Sequence, residues 1–164
     1  MMTADDVVRI LQLQPHPVEG GYFRETYRST LNVPAYGQSR SLKTAIYYLL
    51  KPATLSEMHR LSGDEVFHFY LGDPVVQLQL YPDGSAREVV LGTDLLAGQV
   101  PQFVVPAAVW QGAIKLDGPH GFALLGATMA PGFDYSDYET GSRKELIGAW
   151  PMVAERISQL TPRG

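Results

Sequence analysis

The sequence predicts an all-β chain of short antiparallel strands with helical pieces at both ends. Short β-branched and aromatic runs recur through its middle. The turn signals "GDP", "YPDGS", "LAGQVP" and "DGPHG" separate them. Nothing with a helical period lies between the runs, so a parallel α/β sheet with crossover helices is excluded. A sandwich or barrel is what remains.

The elements follow in order. Thr3 caps a helix with Asp5 and Asp6 in its first turn; Val7, Val8, Ile10 and Leu11 supply the apolar stripe, and Pro15 and Pro17 end it. That places the first helical piece at about 4–14. "EGGYFRETYRS" turns at its glycine pair and then alternates as a strand, with Tyr22, Arg24, Thr26 and Arg28 on one face and Phe23, Glu25 and Tyr27 on the other. Residues 31–41, with Pro34 and Gly37, read as a loop. "LKTAIYYLL" is a strand closed by Pro52, and Tyr47 and Tyr48 in it read as packing residues. Further strands are expected at 66–71, 75–81, 87–91, 102–105, 111–116 and 122–129. From Ser142 the spacing of Leu146, Ile147, Val153, Ile157 and Leu160 around Pro151 predicts two short helices within 142–161. With 164 residues and no linker, a single domain over 1–164 is expected.

Composition removes several function classes. A net charge of −4 with no Lys/Arg cluster argues against a nucleic-acid partner. The absence of cysteine excludes disulfides, thiolate metal sites and a cysteine nucleophile. The N-terminus carries acids where a secretion signal needs positive charge, and no apolar run is long enough for a membrane span, so a cytoplasmic protein with no membrane partner is expected.

Chemistry concentrates in "SEMHRLSGDEVFHFYLGD", residues 56–73, which holds two histidines and four acids. His59, Glu65 and Gly72 resemble the first motif of the cupin superfamily, and "VPAAVWQGA" resembles the second. "HPVEGGYFRETYRS", "IYYLL", "HRLSGDEVFHFYLGDP", "VVPAAVWQ" and "APGFDYSDYE" follow one another as in the family called domain of unknown function 985. The resemblance implies an antiparallel jelly roll (a cupin-like double-stranded β-helix), a homodimer and no settled activity.

Departures from the cupin pattern bear on the metal. Gln111 stands where the second motif has a histidine, and His59 lacks the usual second histidine one residue away. A carboxamide is a poor ligand for a transition metal. Glu65 shares a strand face with Phe67, Phe69 and Leu71, the expected barrel interior, whereas His68 lies with Val66 and Tyr70; only a bulge between Glu65 and His68 would bring both inside. The inward set is then His59, Glu65 and Gln111, the ligands if a divalent transition metal binds. No cofactor is favoured.

Glu65 and His59 are the candidate acid/base pair; the plain alternative is a buried hydrogen bond inherited from a metal-binding ancestor. Candidate ligand-binding residues are Arg24, Tyr22, Gln111, Trp110, His68, Tyr135 and Asp137. Each has a structural alternative: an ion pair for Arg24, a core role for Trp110, a sheet surface or dimer interface for His68. In "GFDYSDYE", Tyr135 and Asp137 are read as the pocket rim, with Phe133 and Tyr138 capping the sandwich as the other possibility. The expected partner is a small polar molecule, sugar- or nucleotide-like. The leading hypothesis is a metal-free acid/base enzyme resembling the deoxysugar epimerases that use the same barrel, although their histidine–aspartate–tyrosine set is not seen. A non-catalytic binding module and a metal-dependent enzyme are the alternatives.

Overall fold

The computed structural model describes residues 1–164. The chain opens with α1 (Ala4–Ile10), where Thr3 and Asp6 exchange backbone and side-chain hydrogen bonds in a capping box. The helix stops well short of residue 14, because Gln12 takes φ 55° and sends the chain into strand β1 (Gln14–Pro15). Strands β2 (Tyr22–Arg28), β3 (Asn32–Ala35), β4 (Gln38–Ser41), β5 (Thr44–Leu50), β6 (Leu55–Arg60) and β7 (Glu65–Gly72) follow. Then come β8 (Val75–Leu80), β9 (Ala86–Leu91), β10 (Gln102–Val105), β11 (Trp110–Lys115), β12 (Ala123–Met129) and β13 (Glu139–Thr140). The chain closes with α2 (Arg143–Ala149), a single 3₁₀ turn started by Pro151, and α3 (Ala154–Gln159). Two expectations change here. Residues 32–41 form the β3–β4 hairpin rather than a loop, and Leu55–Arg60 is a strand of its own.

The strands build two facing sheets, ordered β1-β2-β5-β12-β7-β10 and β13-β6-β11-β8-β9, with every strand pair antiparallel. From β5 onward the chain changes sheet at each step except at the β8–β9 hairpin. This is jelly-roll topology. Tyr48, Leu50, Phe67, Val105, Leu125 and their neighbours fill the space between the sheets. Outside the larger sheet, Leu49, Phe122 and Leu124 pack under Val7 and Leu13; outside the smaller one, Met58, Leu78 and Leu80 pack under Leu146, Ile157 and Leu160. Burying each such leucine contributes about 2 kcal/mol, so the helices act as lids over apolar outer faces. None is long and apolar enough to cross a membrane.

Two bulges change which residues face inward. On β2 the register with β5 shifts between Glu25 and Tyr27, so Thr26 is the extra residue. Phe23, Glu25 and Arg28 therefore share the inner face, and Tyr27 goes out with Arg24, unlike the alternation expected from sequence. On β7 the register with β12 shifts at Tyr70, and Leu71 is sent to the outer cluster under α1 instead of the interior. Between Glu65 and His68 the pairing is regular, with Met129 opposite Glu65 and Gly126 opposite His68. His68 accordingly faces away from the core, bonded to Thr128 Oγ1 (3.1 Å) and Gln102 Nε2 (3.2 Å).

At the end of β7, Gly72 takes φ +103°, where a Cβ would lie 2.2 Å from the Phe122 carbonyl oxygen. The turn delivers Asp73, fully buried, to Lys115 Nζ (3.0 Å) and to the backbone N–H groups of His120 (2.9 Å) and Gly121 (2.8 Å). These bonds tie the β7–β8 turn to the end of β11 and to the β11–β12 loop at one end of the barrel. The opposite end is open.

Candidate functional site

The open end leads into a cavity of about 290 Å³ between the sheets, its wall including His16, Glu19, Phe23, His59, Glu65 and Tyr138. Glu65 begins β7 and points inward. Its Oε2 accepts from Gln111 Nε2 (2.8 Å), and Oε1 makes no hydrogen bond. Behind it runs a polar ladder: Gln77 Nε2 donates to Gln111 Oε1 (3.1 Å), Gln79 Nε2 to Gln77 Oε1 (3.1 Å), and the Tyr81 hydroxyl to Gln79 Oε1. Residues 77, 79 and 81 alternate along one strand face, so the period of two puts all three inside. Each carboxamide oxygen and nitrogen in the ladder has a hydrogen-bond partner, which is what permits polar groups in this core. Burial and then the negative charge of Glu19 push the Glu65 carboxyl up from 4.5 to about 8, against the opposing bond from Gln111.

His59 sits on β6 opposite Gln111 and is buried. Its Nδ1 lies 2.7 Å from the Glu57 carbonyl oxygen, which can only accept. The neutral ring therefore carries its proton on Nδ1 and presents the Nε2 lone pair. The Tyr138 ring stacks on it at 4.8 Å, nearly parallel. The Tyr138 hydroxyl is buried without a partner, and burial pushes it well above its ordinary range.

Glu19 and His16 complete the wall, and neither was among the sequence candidates. The "HPVEGG" turn is held by His16 Nδ1, which accepts from the N–H groups of Val18 (3.2 Å) and Glu19 (2.9 Å), while Gly20 at φ +98° packs where a Cβ would meet the Leu55 carbonyl. The Tyr48 hydroxyl donates to the Gly20 carbonyl (2.6 Å). Glu19 Oε1 accepts from Ser56 Oγ (2.5 Å); Oε2 stays open, 3.8 Å from His16 Nε2. Burial lowers the pKa of His16. At the mouth, the Thr26 bulge brings in Arg28, whose Nε and Nη2 are spent on Glu25 (both 2.8 Å) and, through Nη2, on the Phe133 carbonyl (3.1 Å).

A strap over residues 132–138 covers this mouth. Gly132 N–H donates to Ser41 O (2.7 Å), and Phe133 N–H to Thr44 Oγ1 (2.9 Å). Arg40 holds Asp137 in a two-point pair, with both side chains almost fully buried. Arg40→Met is expected to free the strap. Hydrogen exchange at the Gly132 and Asp137 amides should quicken about tenfold or more, with β5 and β12 unchanged; unchanged exchange at both amides would mean that the pair does not hold it.

Of the residues singled out from sequence, Glu65, His59 and Tyr135 line the cavity, and Gln111 touches Glu65 from behind. The others lie elsewhere. Tyr22 and Arg24 face outward, Tyr22 under the Lys51 ammonium and Arg24 over the Tyr47 ring. Trp110 lies on the outer face beneath Arg60 at 4.5 Å, beside the C-terminal helices. His68 is outside by strand parity, and Asp137 is buried in its ion pair rather than at the rim. Tyr138, named from sequence only in the alternative of a cap over the sandwich, is part of the wall.

The donor set does not suit a transition metal. No three His, Asp or Glu side chains are arranged to share an ion. Gln111 turns its oxygen to Gln77 and its N–H to Glu65, so the set His59, Glu65 and Gln111 does not converge.

Known proteins share this framework. A hypothetical protein from Leishmania major superposes with a TM-score of 0.89 at 32% identity, over 97% of this chain and 98% of that one. An uncharacterized protein of Saccharomyces cerevisiae is 34% identical over 135 residues, 73% of this chain; the match spans 66% of that relative, just under two thirds. Oxalate decarboxylase from Bacillus subtilis, described with Mn(II) centers, shares the fold alone: TM-score 0.55, 16% identity, 92% of this chain and 38% of the enzyme. Residues 5–141 match the family described as Cupin superfamily (DUF985), and the chain belongs to that family.

Proposed function

We propose that the barrel cavity binds a small molecule and catalyses metal-independent proton transfer on it, with Glu65 and His59 as the acid and base. The observation that carries this reading is the pair of complementary groups that line one cavity from facing sheets. Glu65 titrates near 8 and is mostly protonated at neutral pH, so it can donate from Oε1. His59, its Nδ1–H fixed on the Glu57 carbonyl, offers an unpaired Nε2 to accept a proton. A protonated carboxyl and an imidazole with a free lone pair facing one cavity can supply both acid and base. The chemistry this supports is removal of a proton from a carbon acid by His59 Nε2 and delivery of the Glu65 proton to the resulting carbanion, both groups then exchanging protons with solvent, as in an epimerase or isomerase. The strap and the aromatic wall limit water during the step.

The test is solvent exchange. Chelator-treated protein is incubated in D2O with a cell metabolite extract, and the extract is searched by mass spectrometry for a metabolite that gains one deuteron. Labelling by wild type that falls about a hundredfold or more in His59→Ala and Glu65→Gln is expected, within the usual span for loss of an acid/base group. Saturable binding of a metabolite with no labelling would make the chain a binding module. Labelling restored only by added metal would return the reading to a metal-dependent cupin.

The fold family also leads us to propose a homodimer and a cytoplasmic setting. Tyr27, Tyr70 and Val104 are half exposed on the outer face of the larger sheet, which supports pairing through that face; sedimentation velocity at micromolar concentration would decide it.

A further inference from the structure

We infer that the cavity selects a neutral or cationic ligand rich in hydrogen-bond donors, a ring bearing an amine or amidine, and rejects anions. This rests on the proposed use of the cavity as a ligand site and adds the charge class. Three acceptors on the wall are open: Glu19 Oε2, His59 Nε2 and, when ionised, Glu65 Oε1. The charge of the cation at the mouth is already matched, since Arg28 donates through Nε and Nη2 to Glu25 and through Nη2 to the Phe133 carbonyl, leaving only Nη1 without a bond. His16 cannot serve an anion either. Its Nδ1 is used by two backbone N–H groups, and its Nε2 faces Glu19. The wall thus holds the charge of Glu19 with no free positive partner.

An anion such as a carboxylate or phosphate would meet Glu19 and the Nε2 lone pair with only hydroxyls, and the Glu65 proton, to receive it. A protonated amidine instead donates an N–H to Glu19 Oε2, and its charge offsets that of Glu19. The volume of about 290 Å³ is at the small end of ligand pockets, which run roughly 300–1,000 Å³, so a one- or two-ring molecule fits. Phe23, Phe133, Tyr135 and Tyr138 supply the apolar and π surface for such a ring. Proton transfer between Glu65 and His59 would then act on a carbon or nitrogen next to the basic group.

The experiment uses three isosteric probes, benzamidine, benzamide and benzoate, titrated calorimetrically into the purified protein at pH 7. Benzamidine is expected to bind at least tenfold tighter than benzoate, with benzamide between them. In Glu19→Gln, which keeps an oxygen for Ser56 Oγ, the preference for benzamidine over benzamide should collapse to within about twofold; near-UV circular dichroism matching wild type shows that the variant is folded. Benzoate binding as tightly as benzamidine, a preference that survives in folded Glu19→Gln, or no binding by any probe overturns the inference. The titration reads no turnover. A protein that prefers benzamidine but never labels a metabolite in D2O keeps its charge class and loses its proposed reaction, and the converse result does the reverse.

Discussion

Glu65→Gln is expected to stabilise the protein, and by an amount that grows with pH. A carboxyl raised from 4.5 to about 8 binds its proton more tightly folded than unfolded. Between those two pH values the native state therefore holds more protons than the unfolded state, and stability falls as pH rises. Below about 4.5 both states are protonated and nothing is lost; above about 8 the native state carries the full cost of a buried charge beside Glu19. At about 1.4 kcal/mol per pH unit the window corresponds to ~4–5 kcal/mol. Glutamine removes the titration and keeps an acceptor for Gln111 Nε2. Urea unfolding of both proteins at pH 5 and pH 8.5 is the check. Unfolding free energies close together at pH 5 and separated by several kcal/mol at pH 8.5, the variant higher, are expected; equal separations at the two pH values would place the Glu65 pKa near the ordinary carboxylate range. A residue whose removal stabilises the fold while abolishing turnover would carry the signature of a retained functional group.

Asp73→Ala is expected to be the most damaging polar substitution in the chain. Burial pushes the Asp73 carboxyl up, but the donors from His120, Lys115 and Gly121 together outweigh it and hold it below its ordinary value of 3.8. The stabilisation is present above that value and disappears as pH falls through the lower, folded one. Removing the carboxylate strands the Lys115 ammonium, almost fully buried and left with only the Leu116 carbonyl (2.6 Å), and unpairs two backbone N–H groups. Breaking one partner of a buried pair costs about 3–5 kcal/mol, which lowers Tm by roughly 10 °C or more in a chain of this size. Adding Lys115→Met to Asp73→Ala should recover much of the loss, because the unpaired charge goes with it. A double variant as unstable as the single would instead assign the cost to the backbone donors.

The sequence and the structure agree most where period and parity decide. Glu65 and Phe67 face inward, and His68 outward, because β7 is regular over that span. His59 and Glu65, expected to point inward, line one cavity from strands of facing sheets. Disagreement begins where one residue breaks the alternation. Thr26 and Tyr70 are ordinary strand formers, and nothing in their chemistry announces a bulge; yet one brings Arg28 to the cavity mouth and the other takes Leu71 out of the core. Glu19 was hidden differently. A charged residue before a glycine pair reads as an exposed turn, and its burial depends on Ser56 reaching it from β6 and on His16 folding back within the same turn. "EGG" within an otherwise recognised motif was the available signal. Asp137 was misplaced because an acid in a polar loop does not reveal that a buried arginine, Arg40, awaits it.

The alternation of the chain between sheets also sets the order in which the site can come into being during synthesis. The sheet neighbours of β7, which carries Glu65, are β12 and β10; those of β6, which carries His59, are β11 and β13. All four are made after residue 101. A nascent chain halted there holds both reactive side chains with no strand beside either, and its exposed strand edges are open to other chains. Closing such long-range pairings is slow, because the entropy of the intervening loop is lost before any contact compensates. The acid and the base are thus among the first chemistry-bearing residues to leave the ribosome, and the pocket that gives them meaning is assembled only by strands synthesised later.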